Sequence, residues 1–166
     1  APTITSDASN TTSVNENSGA GQVVYTATAS DTDFNGLEDI TFSLADENLG
    51  FSIDADTGVV TTNADFAADY EDAQSQSFTV VATDATGNAS TQQLVSVAIN
   101  NLDEVAPSIT SGDTAVAIDE NTGAGTVIYT AIADDSLDIS AGVIFSLTGD
   151  SDPALSIDPS TGEVTL

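Results

Sequence analysis

Carboxylates are the only side chains of this sequence that carry charge at neutral pH. Its 166 residues include 27 Asp and Glu but no Lys, Arg or His, which gives a formal net charge of −27. Several carboxylates are closely spaced, as in Asp31-Thr32-Asp33, Asp69-Tyr70-Glu71 and Asp103-Glu104. Because neighbouring carboxylates repel and an unpaired buried one is costly, each must be solvated, protonated or neutralised from outside the chain. A hard cation, which takes six to eight oxygen ligands, is the economical partner.

The composition also excludes several classes of function. Phosphate binding draws on Lys and Arg, so nucleic acid and anionic membrane surfaces are unsuitable partners, and no apolar stretch is long enough for membrane insertion. Without His, Lys, Cys or Arg, a nucleophile and its base cannot be paired. A glycosidase with two carboxylates would need aromatic platforms, and the chain has only six Phe and three Tyr. We therefore predict that the chain is not an enzyme.

The acidic segments belong to a unit that is nearly written twice. Ala1–Ser6 returns as Ala106–Ser111, and Asn15–Gly21 returns as Asp119–Gly125. A fixed period defines the structural unit, which is about 105 residues long here. We predict a complete repeat over residues 1–105 and a partial second repeat over residues 106–166.

Strict alternation of apolar and polar residues predicts that these units are built from strands. In the run from Val23 to Ala29, Val23 and Tyr25 are expected on one face and Val24 on the other. Turn signals such as Asp56-Thr57-Gly58 separate the runs. About seven short strands in 100 residues predict an all-β fold, a Greek-key β-sandwich. Further alternating runs are Ile40–Leu44, Phe78–Thr83 and Leu94–Asn100.

The second copy is expected to repeat the early strands, at residues 127–133, 143–147 and 157–158. Nothing in it corresponds to Phe78–Thr83 or Leu94–Asn100, so it is predicted to lack its last two strands. Such a sandwich would expose its core and unpaired edges. Two explanations stay open. The chain is part of a longer tandem array, or another molecule supplies the missing strands by donor-strand complementation.

A set of short motifs follows a fixed order along the chain: Asn15-Glu16-Asn17, Asp31-Thr32-Asp33 with Asn35-Gly36, Phe51-Ser52-Ile53-Asp54 with Thr57-Gly58, Asp69-Tyr70-Glu71, Phe78–Asp84, and Asn101–Pro107. This order resembles that of a cadherin repeat, in particular one from a bacterial-type extracellular or cell-surface tandem-repeat protein such as an adhesin or matrix protein. The resemblance covers one complete repeat and part of a second.

What the resemblance implies is Ca²⁺ bound between successive repeats, where it stiffens the array. The ligands implied for the inter-repeat site are Glu16, Asp69, Glu71, Asn101, Asp103, Glu104 and Asp135, with Asp138 or Asp134 in place of a missing second-repeat carboxylate. The residues implied for a site shared with a preceding repeat are Asp31, Asp33, Asn35 and Asp84.

The sequence departs from the family pattern at the linker and in the second copy. The linker reads Asn101-Leu102-Asp103-Glu104-Val105 where the family has Asp-x-Asn-Asp-Asn, and Asp135-Ser136-Leu137 replaces an Asp-x-Asp pair. We therefore expect fewer or weaker ions than in a cadherin with the full pattern.

Other polar residues have simpler interpretations. Asp54 and Asp158 precede Thr-Gly turns and are expected to cap them. Tyr25 and Tyr129 are expected to be core or edge aromatics whose hydroxyl reaches a partner. Asn10-Thr11-Thr12 and Asn88-Ala89-Ser90 match the glycosylation triplet, which is common by chance.

These observations predict a calcium-stiffened structural and adhesive segment of an extracellular or cell-surface protein, such as an adhesin stalk or a surface or matrix filament. Its partners would be adjacent repeats of the same or an identical chain, and polysaccharide or cell-surface ligands. One alternative is a subunit of a donor-strand filament that completes its second domain in trans. Another is a carbohydrate-binding surface module. If the acidity served only salt adaptation, the charges would be spread evenly rather than clustered.

Overall fold

β-Strands are the regular elements in the part of the chain that the computed structural model describes, which is residues 1–32, 39–45 and 50–166. These residues form two compact units, Ala1–Leu102 and Asp103–Leu166. The described strands of the first unit are β1 (Thr3–Ile4), β2 (Val14–Asn15), β3 (Val23–Thr26), β4 (Ala29–Ser30), β5 (Thr41–Leu44), β6 (Phe51–Ile53), β7 (Val59–Thr62), β8 (Ser75–Thr83) and β9 (Gln93–Asn100).

Two sheets make up most of the first unit. One has the strand order β2-β9-β8-β5, with β2 parallel to β9 and the other pairs antiparallel. The other has the order β3-β7-β6 and is antiparallel throughout, while β1 pairs with β4. Because β8 pairs with β5 on one side and β9 on the other, the long β8–β9 hairpin organises the larger sheet.

Aromatic side chains join the two sheets across the core. The ring of Phe78 on β8 lies 4.8 Å from that of Phe51 on β6 and 6.1 Å from that of Tyr25 on β3, between ring centroids. Such tilted pairs add to the free energy of apolar burial. The predicted all-β sandwich is therefore correct. The buried core of this unit is Val14, Val24, Tyr25, Ala27, Phe42, Phe51, Val60, Phe66, Ala68, Phe78, Val80, Ala82, Val95, Val97 and Ile99.

A β-bulge in β3 overturns the predicted facing of its side chains. Val23 is 54% exposed, whereas Val24 and Tyr25 are both buried. The register against β7 shifts between Val23 and Tyr25, so two consecutive residues point to the core. The prediction from period-two alternation assumes an uninterrupted ladder of backbone pairs. The bulge interrupts the ladder, so the alternation of faces fails at this point.

Each unit contains a turn that only glycine can occupy. Gly58 has a φ of +70°, and a Cβ there would lie 2.4 Å from the carbonyl oxygen of Ala27. Gly162 has a φ of +71°, and its Cβ would lie 2.4 Å from the oxygen of Ala131. Positive φ and close backbone approach both require glycine. The two turns are therefore built in the same way.

The second unit has shorter strands and few pairs. β11 and β13 both pair with β14, and β10 pairs with β12. Its buried apolar residues are Ala131 and Val164. The described strands of this unit are β10 (Ser108–Ile109), β11 (Val127–Thr130), β12 (Ala133–Asp134), β13 (Ser156–Ile157) and β14 (Glu163–Thr165).

The strand predicted at residues 143–147 does not form, so the second unit does not repeat the first strand for strand. Val143, Phe145 and Leu147 still alternate as half-buried residues with exposed neighbours. In the first unit the matching strand, β5, is held by four register pairs with β8. The second unit has no sequence like β8, so the 143–147 segment keeps its alternation without a ladder.

A tyrosine hydroxyl fastens the first strand in both units. Tyr25 donates a hydrogen bond to Ser6 Oγ at 2.7 Å, and the Tyr129 and Ser111 hydroxyls lie 2.6 Å apart. Ser6 Oγ and Ser111 Oγ also accept one backbone N–H each at 3.1 Å, from Thr28 and from Ile132. The prediction that both tyrosine hydroxyls reach a partner is confirmed.

Across the described residues, we find no helix that has both the length and the apolar character needed to cross a bilayer.

Candidate metal centre

Glu16 is a buried carboxylate in a chain that offers no side-chain cation. It directly follows β2, and its side chain is only 1% exposed. The alternation of buried Val14, exposed Asn15 and buried Glu16 places the carboxylate on the core side. Its position follows from the strand, because Glu16 N–H also donates to Asn100 O at the end of β9 at 3.1 Å.

Backbone amides hold both oxygens of this carboxylate. Oε2 accepts the N–H of Tyr70 at 2.8 Å, and Oε1 accepts the N–H of Leu102 at 2.5 Å. Hydrogen bonds to an ionised acceptor are stronger than neutral ones, which offsets part of the cost of burial. Glu16 therefore ties together three segments, namely the end of β2, the turn at Tyr70 and the exit of β9.

Glu71 lies beside Glu16. A carboxylate oxygen of Glu71 lies within 4.8 Å of one of Glu16, and Glu71 is exposed where Glu16 is buried. Two unit charges about 4 Å apart repel by roughly 1 kcal/mol even in bulk water, and by more at lower dielectric. The pair is thus a location that favours a cation.

Asp69 shapes the turn that carries Tyr70 and Glu71. Its Oδ1 accepts the N–H of Asp72 at 3.2 Å, and its backbone oxygen accepts the N–H of Ala73 at 2.9 Å. This residue is exposed. The carboxylate of Asp69 therefore orders this turn. The ordered turn places the Tyr70 amide where it can donate to Glu16.

Asn101 carries an oxygen that the described part of the chain does not satisfy. Its Oδ1 is buried and has no hydrogen-bond partner among the described residues. The residue lies directly before Leu102, whose amide binds Glu16. A buried polar atom without a partner costs about 1–3 kcal/mol. Coordination of a cation by Asn101 Oδ1 would remove that cost.

The donor chemistry of the first unit fits calcium. Glu16, Glu71 and Asn101 provide two carboxylates and an amide oxygen, which are hard ligands of the kind that Ca²⁺ prefers over nitrogen or sulfur. The chain has neither Cys nor His, the residues whose sulfur and nitrogen atoms would favour a softer metal.

At the other implied site, Asp31 and Asp84 lie close to the same backbone atom. The nitrogen of Ala1 is 3.3 Å from Asp31 Oδ2 and 3.8 Å from Asp84 Oδ2. The structure therefore brings two of the four residues of this set together. The other two, Asp33 and Asn35, lie outside the described residues.

Asp84 also caps the turn after β8. Its Oδ1 accepts the Thr86 hydroxyl at 2.7 Å and the N–H of Asn88 at 2.9 Å, and its Oδ2 accepts Asn88 Nδ2 at 2.9 Å. The hydroxyl of Thr86, then the side chain and the backbone of Asn88, hold the pKa of Asp84 well below its usual value. The carboxylate therefore stays ionised in moderately acidic solution.

In the second unit, hydrogen bonds connect the predicted ligands of the linker with the segment that follows β12. Asp138 Oδ2 accepts the N–H of Glu104 at 2.9 Å, and Asp103 Oδ2 accepts the N–H of Ala141 at 3.3 Å. Asp135 accepts the hydroxyl of Ser140. These bonds gather Asp103, Glu104 and Asp138 around one segment.

Asp54 and Asp158 cap turns, as predicted. Asp54 Oδ1 accepts the N–H of Thr57 at 2.8 Å, and Asp158 Oδ1 accepts that of Thr161 at 2.9 Å. The bonds from Thr57 lower the pKa of Asp54. The side chain of Ser160 and the amides of Thr161 and Ser160 lower the pKa of Asp158 to about 2. Both are structural carboxylates rather than members of a site.

The burial of Glu16 is the site feature that the sequence reasoning missed. In the sequence, every acidic residue of the site is an equal candidate ligand, whereas in the fold Glu16 is buried and Asp69 and Glu71 are exposed. The signal was present, because Glu16 is two residues from Val14 and therefore on the same strand face. The amides of Tyr70 and Leu102 could not be found, since backbone groups leave no mark in a sequence.

Comparison with known proteins now identifies the family. A family model of the cadherin domain matches residues 10–100. The chain belongs to the cadherin family. It is 34% identical over 149 residues to the human protein Protocadherin-11 X-linked and 34% identical over 143 residues to human Protocadherin-23, with 84% of this cadherin chain covered in each case. It spans 11% and 4% of the lengths of these relatives.

Solved cadherin structures agree with the fold. Mouse cadherin-23 EC22-24 covers 99% of this chain and is matched over 53% of its own length, with a TM-score of 0.59 and 26% identity. Human protocadherin-24 EC1-2 also covers 99%, over 76% of its own length, with a TM-score of 0.63 and 21% identity.

Membership in the family has direct consequences. Cadherin domains are extracellular adhesion modules and not enzymes, so this cadherin chain is extracellular and non-catalytic. The domains typically bind Ca²⁺, and this chain has an acidic cluster. The relatives named above are animal proteins, so the comparisons do not support the expected bacterial-type origin.

Proposed function

We propose that this chain is a calcium-stiffened structural and adhesive repeat segment of an extracellular protein. The observation that carries the proposal is the buried, unpartnered Oδ1 of Asn101, one residue from the amide that binds the buried carboxylate of Glu16. Family membership supports it, since cadherin domains typically bind calcium.

Residues of the first unit would hold the ion through oxygen. Glu16, Glu71 and Asn101 are the proposed ligands, and Asp69 orders the turn that carries Glu71. A bound Ca²⁺ would supply positive charge that offsets carboxylate repulsion. Because Glu16 fastens the Tyr70 turn and the exit of β9, an ion there would restrain the chain where it leaves the first unit.

The proposed contribution of the second unit depends on the sequence resemblance. That hypothesis assigns Asp103, Glu104, Asp135 and Asp138 to the same ion set. The set proposed for a preceding repeat is Asp31, Asp33, Asn35 and Asp84. Proximity supports it in part, because Asp31 Oδ2 and Asp84 Oδ2 lie 3.3 Å and 3.8 Å from the same atom, the backbone nitrogen of Ala1.

Thermal unfolding of the full chain with and without calcium tests ion binding. Calcium at 100 times its dissociation constant should stabilise the folded state by about 2.7 kcal/mol. For a unit of this size that corresponds to a rise in Tm of roughly 10–20 °C. Magnesium at the same concentration is the control. A melting temperature unmoved by millimolar calcium would overturn the proposal.

Two variants locate the ion. Glu71→Ala should abolish most of the calcium-dependent rise in Tm while the first unit stays folded, because Glu71 is exposed. Asp65→Ala removes another exposed carboxylate of the first unit and should leave the rise intact. Equal losses in both variants would indicate a diffuse charge effect instead of a site.

Asn101→Ala gives an independent test of the orphaned oxygen. Removing an unsatisfied buried polar atom should not lower the stability of the calcium-free chain, and it should weaken the calcium response. A large loss of calcium-free stability would mean that the Asn101 side chain has a structural role.

Stiffening is tested by small-angle scattering of the full chain. Calcium should narrow the distribution of interatomic distances, and Glu71→Ala should prevent the narrowing. If calcium raises Tm but leaves the distribution unchanged, the ion stabilises the first unit without stiffening the segment.

A donor-strand filament is the second candidate. The 143–147 segment alternates in burial without a strand partner, and Val116, Ile118 and Ile144 are exposed. Deleting Ala1–Ile4 should stop concentration-dependent assembly if this candidate is right. A monodisperse full-length monomer at high concentration would contradict it.

No feature of the described residues favours the carbohydrate-binding alternative. Phe42, Phe51, Phe66 and Phe78 are buried in the core of the first unit and offer no platform for a sugar ring.

A further inference from the structure

The two glycosylation triplets of the chain differ in how the fold uses them. Both have the required Asn, a middle residue other than Pro, and a hydroxyl residue two positions on. One begins at Asn10, in the loop before β2. The other begins at Asn88, in the turn between β8 and β9. The sequence alone cannot rank them, but their hydrogen bonds can.

In the first triplet, the groups that take part in the modification are available. Asn10 and Thr12 are both exposed. The fold uses their backbone amides, since Asn10 N–H donates to Asp7 O at 3.1 Å and Thr12 N–H to Val24 O at 2.9 Å. Among the described residues, neither side chain has a hydrogen-bond partner. A large polar group on Asn10 Nδ2 would therefore displace no bond.

In the second triplet, the fold already uses both side chains. Asn88 Nδ2 donates to Asp84 Oδ2 at 2.9 Å and to Thr86 Oγ1 at 2.7 Å. The hydroxyl of Ser90 accepts the N–H of Ala82 at 3.0 Å and donates to Thr91 O at 2.9 Å. The Asn88 amide that glycosylation would alter and the Ser90 hydroxyl that completes the triplet therefore both hold the fold together.

The chemistry of the transfer makes this difference decisive. The donor class is an oligosaccharide attached through a diphosphate to a lipid carrier. The amide nitrogen of Asn attacks the first sugar carbon, a C–N bond forms, and the bond from that carbon to the diphosphate oxygen breaks. The lipid diphosphate leaves with the electron pair, and one of the two protons of the nitrogen is transferred, in the net reaction, to that diphosphate. A glycosylated Asn88 would therefore have a single N–H and could not keep both of its bonds.

We propose that Asn10 is an N-glycosylation site of this protein and that the turn containing Asp84 and Thr86 excludes glycosylation at Asn88. An extracellular protein passes through the compartment in which such transfer takes place. The proposal is independent of calcium binding.

The position of Asn10 gives the glycan a structural consequence. β2 is an edge strand of the larger sheet, and Thr11, next to Asn10, donates from its hydroxyl to Ser96 O on β9 at 3.3 Å. Exposed sheet edges are sites of unwanted pairing between chains. A hydrated oligosaccharide on Asn10 would shield this edge from a second copy.

Secretion of the full chain from cultured animal cells tests the proposal. Glycans are released enzymatically, which converts each occupied Asn to Asp, and the peptides are analysed by mass spectrometry. Digestion needs a protease specific for acidic residues, because the chain has no Lys or Arg. Conversion at Asn10 with none at Asn88 is the expected result. An unmodified Asn10, or equal conversion at both positions, overturns the proposal.

Variants separate the fold from the triplet itself. Asn10→Gln and Thr12→Ala should each remove the glycan, whereas Thr12→Ser should keep it.

The double variant Asp84→Ala/Thr86→Ala frees the amide of Asn88 and should allow glycosylation there. If Asn88 stays unmodified in that variant, the protective role of the turn is wrong. Enzymatic removal of the glycan should leave the Tm of the folded protein unchanged. A marked fall in Tm would contradict the conclusion that the fold does not use the side chain of Asn10.

Discussion

The first and second units share their turns and their tyrosine contacts, yet only one of them has an extensive core. Asp54 and Asp158 cap matching turns, one in each unit, and Tyr25 and Tyr129 each contact a serine hydroxyl. The first unit nevertheless buries residues from both sheets, whereas the second buries Ala131 and Val164. Local turn chemistry thus forms without the rest of the sandwich. Burial of apolar side chains depends on the β8–β9 hairpin, which the second unit lacks.

The same contrast separates two matching glutamates. Glu16 is buried and accepts two backbone amides, while Glu120, its counterpart in the second copy, is exposed. The amide of Leu102 comes from the residues after β9, and the second unit has no such strand. A strand that is distant in sequence therefore decides whether a carboxylate becomes part of a site.

Separating the two units should have the largest effect. A chain of residues 1–102 should unfold cooperatively, because it keeps its whole core. A chain of residues 103–166 should show no cooperative transition, since its buried apolar area is too small to offset the loss of conformational entropy. Circular dichroism during thermal unfolding measures both. A sharp transition in the second fragment would remove the basis of the comparison.

Truncating one aromatic side chain in each unit should have the next largest effect. Phe78→Ala should lower the free energy of unfolding of the first unit by about 3–5 kcal/mol, because Phe78 is buried against Phe51 and Tyr25. Phe145→Ala should cost much less, since Phe145 is only half-buried. Urea unfolding of the full-length variants gives the two values. Equal costs would show that the second unit is better packed than its burial indicates.

The glutamate pair provides a matched test of the site. Without calcium, Glu16→Ala should destabilise the first unit by about 1–3 kcal/mol for each amide left without a partner, those of Tyr70 and Leu102. Glu120→Ala should change stability by less than about 0.5 kcal/mol, as expected of an exposed residue. Urea unfolding in the presence of a chelator measures both. A neutral Glu16→Ala would contradict the structural role of this carboxylate.

The smallest expected effect concerns acid. The pKa of Asp158 is lowered from 3.8 to about 2, so its turn contributes stability above pH 3.8 that is lost as the pH falls toward 2. The pKa of Asp54 is lowered in the same direction by the matching bonds from Thr57. NMR titration of the two carboxyl carbons should give midpoints below 3.8 for both. An unshifted Asp158 would mean that the turn of the second unit does not form as described.

Much of the fold followed from alternation and turn residues. The runs Phe78–Thr83 and Leu94–Asn100 lie within β8 and β9, and the turn that contains Gly58 is where Asp54 and Thr57 predicted it. The facing of Val23 and Val24 was wrong, because a bulge is a property of the ladder and not of one strand's sequence. The strand at residues 143–147 was wrong for a related reason, since a strand needs a partner as well as a pattern.

The candidate site was predictable in its residue types but not in its arrangement. Carboxylates and Asn101 were recognisable as oxygen ligands, and the resemblance indicated which of them to choose. The structure adds that Glu16 is buried and that the oxygen of Asn101 has no partner among the described residues. Neither fact can be read from a chain in which acidic residues are so common, because burial depends on contacts between segments far apart in sequence.

The tyrosine contact that the two units share has a mechanical consequence. β1 and β10 contain two residues each, so their backbone ladders offer little resistance if tension pulls the start of a repeat away from its sheet. The hydroxyls of Tyr25 and Tyr129 hold Ser6 and Ser111, two residues beyond those strands, and so secure the chain outside the ladder. A force applied along the chain must therefore break a side-chain bond after the ladder has opened, which would let each repeat yield in two steps instead of one.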